Sequence, residues 1–399
     1  MNNFEFYNPV HIIFGENEIN RVGKEARLLG KKALLVSYSE HVFFDELIRK
    51  IKQLLREEGV EVEEFFGVSP NPKIGEVETG IKLCKKAEAD FIIGLGGGSA
   101  MDAAKMIAAG GVYPGNVWDM VYSRHDNTKN VIPPDDALPT LMIPTLPATG
   151  SEMNPTAVIT NEKTNEKSYT WAPCLYPKVS IVDPSLTCSL PPYQTACAAA
   201  DTISHVLEFY INGFEDAYLN NRIQESVMLT TLEYAPVVLA NPFDVAARGQ
   251  LQWAAILALN GLSQPGDGWT PMHQLGHVLS AKYSIAHGAS LTIVMPAWMK
   301  YYYRTRLTQY VQFSTRVFGI APAHKTLEEI ALEGIFRMDN LFKEWGLSTR
   351  LKDIGVNKEE IPALADQVVK ISFGADGYLR SRPPASRNDV EEVFKLAFY

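Results

Sequence analysis

Phe91-Ile92-Ile93-Gly94-Leu95-Gly96-Gly97-Gly98-Ser99-Ala100-Met101-Asp102-Ala103-Ala104-Lys105 reads as a buried strand that runs into three glycines and a serine, then into a helix. Glycine lets the backbone approach a phosphate closely, and the free N–H groups at a helix start favour an anion. Asp102 is placed to cap the helix or to order the turn. The stretch is neither the G-x-G-x-x-G of the usual dinucleotide fingerprint nor the G-K-[ST] ending of a P-loop. Its plain alternative is a tight strand-to-helix turn with no ligand.

Outward from this turn, strand-like and helix-like segments alternate. Lys32–Ser37 reads as a short buried strand, Phe44–Glu58 has apolar residues at helical spacing, and Val60–Phe65 alternates like a strand. Ile74–Ala87 is helix-like, and strands are expected again at Thr140–Pro144 and Val179–Pro184. This alternation implies a parallel sheet with helices on both faces. After Pro191-Pro192 only helical patterns follow, roughly at 193–211, 215–240, 243–262, 270–282, 290–303 and 325–345. The expected organisation is an α/β dinucleotide-binding domain over 1–187 and an all-α domain over 188–399.

Composition removes several function classes. Lys and Arg number 37 against 46 Asp and Glu, a net charge of −9 with no basic block. Nucleic-acid binding and attachment to anionic membranes are therefore not expected. No apolar run approaches the roughly 18 residues of a membrane helix. Met1-Asn2-Asn3-Phe4-Glu5 has neither a basic start nor an apolar stretch, so no secretory signal is expected. The four cysteines, Cys84, Cys174, Cys188 and Cys197, are scattered, which argues against a thiolate zinc site and for a reducing, cytoplasmic setting.

The helical half carries a second pattern. Asp201 and His205 are four apart, as are His273 and His277, and His287-Gly288 follows. Residues four apart share a helix face. Taken singly, such a pair is more often capped or hydrogen-bonded than metal-binding. Burying several imidazoles among Val206, Leu207, Leu275, Val278 and Leu279 without partners is costly, and a shared cation accounts for them more simply. Imidazole plus carboxylate without thiolate suits Fe(II), Zn(II), Mn(II) or Ni(II). Such a cation would polarise an alcohol or carbonyl oxygen.

Together these residues resemble the iron-containing, or group III, alcohol dehydrogenases, and the likeness covers essentially the whole chain. It is carried by Phe6-Tyr7-Asn8-Pro9, Phe14-Gly15, Pro70-Asn71-Pro72, Gly96-Gly97-Gly98-Ser99 with Asp102 and Lys105, and Pro144-Thr145-Leu146-Pro147-Ala148-Thr149-Gly150-Ser151-Glu152. Asp183-Pro184, Asp201-x3-His205 and His273-x3-His277-x9-His287-Gly288 complete it. The Pro-Ala-Thr-Gly-Ser-Glu form resembles the butanol dehydrogenase and broad-range aldehyde reductase branch. The resemblance implies a dehydroquinate synthase-like fold with the active site in the cleft between its two domains. It implies Asp201, His205, His273 and His287 as metal ligands, with Fe(II) foremost and Zn(II) possible. Gly97, Gly98 and Ser99 would hold a pyrophosphate, with Asp102 in the same turn, and Asn71, Thr145, Thr149 and Lys167 would lie along the ribose and nicotinamide. His277 matches a histidine near the metal, either a proton relay or a support. A homodimer built through N-terminal strands is a further expectation.

The implied reaction is hydride exchange between NAD(P)H and a small primary alcohol or aldehyde. An acidic residue at the end of the Ala33–Ser37 strand would favour NAD. Tyr38 stands there instead, which leans the reading towards NADP(H) being accepted, with Glu40 as a counter-indication should it point inward. Rival readings are a glycerol dehydrogenase-like enzyme, which usually has three ligands, an Asp and two His, where Asp201-x3-His205 supplies a fourth here, and a dehydroquinate synthase-like lyase. The lyase needs several cationic side chains for an anionic, phosphorylated substrate, whereas the segments around the ligands are apolar or aromatic (Trp253, Trp269, Met272, Trp298), which argues for a small uncharged substrate. A nucleotide sensor without chemistry is the non-enzymatic rival.

Overall fold

The computed structural model describes residues 3–122, 131–164, 166–263 and 270–399. In chain order, its first part comprises β1 (His11–Phe14), α1 (Val22–Arg27), β2 (Lys32–Tyr38), α2 (Asp45–Glu57), β3 (Glu61–Val68), α3 (Ile74–Ala87), β4 (Phe91–Gly96), α4 (Gly98–Val112), β5 (Thr140–Pro144), β6 (Thr156–Asn161), β7 (Glu166–Trp171) and β8 (Val179–Val182). The helices that follow are α5 (Pro192–Asn212), α6 (Tyr218–Ala240), α7 (Val245–Ala258), α8 (Pro271–Tyr283), α9 (His287–Tyr302), α10 (Leu307–Val317), α11 (Leu327–Glu344), α12 (Ile361–Ser372) and α13 (Arg387–Phe398).

The sheet has the order β1-β8-β5-β4-β2-β3, and all its pairings are parallel. Successive strand residues serve opposite faces. Leu34, Val36, Ile92 and Met142 pack into one core with Val77 of α3 and Met101, Ala104 and Met106 of α4. Ala33, Leu35, Phe91, Ile93, Leu141 and Ile143 pack into the other with Val22 of α1 and Ile48, Ile51 and Leu55 of α2. Burial on both faces explains why these strands read as continuous apolar runs. Strand order runs outward from β2 to β3 on one side and from β4 to β5 on the other. The reversal lies between β2 and β4, and ligands of such sheets bind outside the carboxyl ends at that point.

Two features of this unit were not expected from the sequence. β6 and β7 form a separate antiparallel hairpin, docked through the Thr160 amide to the Pro72 carbonyl at 2.8 Å. The short strand β1 occupies one sheet edge.

By its internal contacts the chain forms two compact units, one of Tyr7–Ser189 with Phe243–Ile256 and one of Met1–Phe6, Leu190–Pro242 and Leu257–Tyr399. The sequence reading assigns all of 188–399 to the helical domain, whereas most of α7 clusters with the sheet. Trp253 of α7 meets Phe14 edge-on at 5.6 Å. In the helical unit α5 is buried along almost its whole length, as expected of a central helix. It packs against α6 and α9, while α8 packs against α9 and α12. Among the described residues no helix is long and apolar enough to cross a membrane.

Candidate functional site

In the helical unit, three segments bring their polar residues to one point. Asp201 and His205 project from the same face of α5, His273 lies in the first turn of α8, and His287 opens α9. Gly288 makes the last approach possible, because a Cβ there would stand 2.0 Å from the Cys197 carbonyl oxygen. Asp201 Oδ1 is 3.6 Å from His205 Nε2, 3.6 Å from His273 Nε2 and 3.8 Å from His287 Nε2. The His205 and His273 rings stack at 4.8 Å.

These separations exceed hydrogen-bond length. They match the spacing of about 3–4 Å between donors that share one first-row metal ion at about 2.0–2.2 Å. Asp201, His205 and His273 are all buried and offer one ligand atom each within 4.8 Å of one another. Asp201 Oδ1 and His273 Nε2 have no hydrogen-bond partner among the described residues. A buried, unpaired carboxylate oxygen is costly by several kcal/mol, and a divalent cation removes that cost, so the donor set fits one. The electrostatics agree. Burial resists ionisation of Asp201, yet the imidazoles of His205, His287 and His273 hold its carboxyl well below the usual range. Burial lowers the His273 imidazole, but Glu208 and Asp201 outweigh it and raise it to about 9.

His277 stands apart from this set. It is partly exposed, its ring 5.1 Å from that of His287 and 6.2 Å from that of His273.

The sequence reading missed Glu208. Its carboxylate accepts from His273 Nδ1 and from the amides of Met272 at 2.8 Å and His273 at 3.1 Å. The available signal was its position seven residues after Asp201 and three after His205, on the same helix face.

In the sheet unit, the glycine turn sits at the carboxyl end of β4. The Gly97 amide donates to the Tyr38 hydroxyl at 3.1 Å, so the end of β2 closes on the turn. A Cβ on Gly98 would stand 2.5 Å from Thr149 Cγ2, which brings Thr149 against the start of α4. Asn71, held at φ +61°, donates its amide to Ser99 Oγ at 3.3 Å. Its Oδ1 accepts from Lys167 Nζ of β7 at 2.8 Å. The Thr145 amide donates to the Gly96 carbonyl at 2.9 Å. Asn71, Gly97, Gly98, Ser99, Thr145, Thr149 and Lys167 are thereby linked around one turn.

Asp102 points elsewhere. Its oxygens accept from Ser151 Oγ at 2.7 Å and from the Val158 amide at 3.0 Å. It braces α4 against the following segment and does not cap the helix. The buried Lys105 joins it, donating to Ser151 Oγ at 2.8 Å and to the Asn154 and Thr156 carbonyls at 2.8 and 2.9 Å.

Of the apolar residues near the ligand segments, Trp253 packs on Phe14 in the sheet unit. Trp298 is 1% exposed and packs on Tyr302, and Met272 is fully buried. Trp269 lies outside the described residues.

Comparison with known proteins adds a separate line. The model of the iron-containing alcohol dehydrogenases matches residues 9–184, and that of the C-terminal part of the same family matches 195–398. The chain belongs to the iron-containing alcohol dehydrogenase family. It is 36% identical to NADH-dependent butanol dehydrogenase A of Clostridium acetobutylicum over the full length of both chains. To the NADPH-dependent aldehyde reductase YqhD of Escherichia coli it is 32% identical, covering 91% of this chain and 92% of that one. The crystal structure of NADH-dependent butanol dehydrogenase A from Thermotoga maritima superposes with a TM-score of 0.93 at 38% identity, covering 100% and 99%. As a member of this family, the chain is an alcohol dehydrogenase and aldehyde reductase that works with a nicotinamide cofactor and a metal.

Proposed function

We propose that this enzyme interconverts short primary alcohols and aldehydes, with butanol and butanal as the working pair, and that Asp201, His205, His273 and His287 hold its divalent metal. The observation that carries the reading is the Asp201 oxygen facing three imidazole nitrogens at 3.6–3.8 Å. The names of the relatives support the substrate class. When bound, the cation supplies Lewis-acid polarisation of the substrate oxygen and the nicotinamide supplies the hydride. Fe(II) is the proposed native ion, with Zn(II) tolerated by the same ligands.

The chain's own residues do the rest. The Asp201 carboxylate offsets one of the two positive charges, leaving the centre at about +1. The Gly97, Gly98 and Ser99 turn receives the pyrophosphate on helix-start amides. Thr145, Thr149, Asn71 and Lys167 flank the ribose and nicotinamide, and Asp102 holds the turn from behind. His277, partly exposed beside His287, passes the proton between substrate oxygen and solvent. No carboxylate stands at position 38, so both NADH and NADPH are accepted. We further propose a cytoplasmic homodimer of 1–187 and 188–399 domains. The edge position of β1 supports the dimer, since an unpaired edge offers itself to a second chain.

The test is oxidation of NADH and NADPH with butanal after loading with Fe(II) or Zn(II). Turnover with both cofactors is expected. No turnover with any short aldehyde or alcohol contradicts the substrate assignment.

A further inference from the structure

We propose that Glu208 is a positioning residue of the metal centre, setting both the tautomer of His273 and the place of the helix that carries it. The proposal rests on the reading that Asp201 and the three histidines hold the metal. Asp201, His205 and Glu208 follow one another at spacings of four and three on α5, so one helix face carries two ion-facing groups and the brace for a third.

Glu208 is fully buried, and its carboxylate is answered by three donors on α8. Oε2 accepts from the Met272 amide at 2.8 Å, and Oε1 accepts from the His273 amide at 3.1 Å and from His273 Nδ1. Those amides belong to the first turn of α8, whose N–H groups have no partner within the helix. Thr270, the residue that would cap them, makes no side-chain cap bond. Glu208 does that work from another helix.

The contact to Nδ1 does more than capping requires. A carboxylate there demands a proton on Nδ1, which leaves the lone pair on Nε2. Nε2 is the atom that faces Asp201 Oδ1 at 3.6 Å. A cap alone would need only the two amides. The ring contact selects the one neutral tautomer able to donate an electron pair to a cation at that point.

Two variants separate these roles. Glu208→Gln keeps an acceptor but presents an amide that can also turn its NH2 towards Nδ1, which favours the wrong tautomer. Glu208→Gln with Thr270→Asp restores a cap for α8 locally. The readouts are thermal unfolding of the metal-free protein, Zn(II) affinity by chelator competition, and the visible absorption of the Co(II)-loaded protein. The double variant is expected to unfold like the wild type. Its Zn(II) affinity should still fall about 10- to 100-fold, and its Co(II) spectrum should change. Wild-type affinity and spectrum in both variants, with a loss only of thermal stability in the single one, would show capping alone and overturn the proposal. Asp201→Asn serves as the control for the underlying reading. If it binds Co(II) with an unaltered spectrum, the metal centre is elsewhere, and the proposal falls with that reading rather than on its own.

Discussion

Asp102 and Asp201 are both buried aspartates on helices, and the protein treats them in opposite ways. Asp102, in the sheet unit, has its oxygens taken by Ser151 Oγ and the Val158 amide, with Lys105 close by. Asp201, in the helical unit, keeps Oδ1 without a hydrogen-bond partner among the described residues while three imidazole nitrogens face it. Burial penalises both charges. In the first case Ser151, Val158 and Lys105 offset part of that cost, burial still holds the Asp102 carboxyl above its usual range, and the chain gains a rigid brace. In the second the imidazoles answer the charge while the oxygen keeps no hydrogen-bond donor among the described residues, which leaves it open to a cation.

The contrast breaks most sharply at the metal. Replacing Asp201, His273 or His287 by Ala should abolish both metal retention and turnover, measured by metal analysis after gel filtration and by nicotinamide absorbance. Full activity in a metal-free variant would remove the distinction. Asp102→Ala should act on stability instead. It leaves the Val158 amide and Ser151 Oγ without their acceptor, at a cost of roughly 1–3 kcal/mol in denaturant unfolding, while metal content stays at the wild-type level. A loss of metal there would mean the two sites are not independent.

Smaller effects sharpen the comparison inside the sheet unit. Gly98→Ala places a methyl against Thr149 and should raise the cofactor KM about tenfold, a shift on the scale of 1.4 kcal/mol, without touching metal affinity. Glu152 tests what happens when burial is not offset. Neither of its oxygens has a hydrogen-bond partner among the described residues, and burial, opposed in part by Lys105, pushes it up to about 7. Its neutral form is therefore favoured in the fold up to about pH 7. The stability this contributes is complete below its ordinary value of 4.5 and is lost as pH rises through about 7. Glu152→Gln should melt roughly 2–4 °C higher than wild type at pH 8, with the gain vanishing near pH 4.5. A gain independent of pH would show that the carboxyl titrates normally.

The sequence exposed these regions unequally. The glycine turn was legible because a doubly buried strand, a glycine run and a helix start are local signals, and Asp201, His205 and His273 were legible as spaced polar residues in apolar helices. Glu208 was not, because its partners lie 64 and 65 residues away, and its spacing from Asp201 and His205 places it on their face without saying what it holds. The β6–β7 hairpin was missed because β7, Glu166–Trp171, has no aliphatic residue to mark it as a partner for β6. The helices α10, α12 and α13 follow the last helical stretch read from periodicity or lie between such stretches, and are short. The attachment of Phe243–Ile256 to the sheet unit was hidden for a different reason: periodicity tells that a helix buries a face, not what it buries it against. Asp102 shows the same limit, since its place beside a helix start suggested a cap while its partners came from Ser151 and Val158.

Asp201 Oδ1 stays open to a cation, whereas the oxygens of Asp102 are hydrogen-bonded by the chain. Anomalous diffraction at the metal absorption edge, from crystals of anaerobically purified protein, tests it most directly. One peak per chain is expected, bounded by Asp201 Oδ1 and the Nε2 atoms of His205, His273 and His287. A metal-loaded crystal whose peak lies away from those four atoms would contradict it.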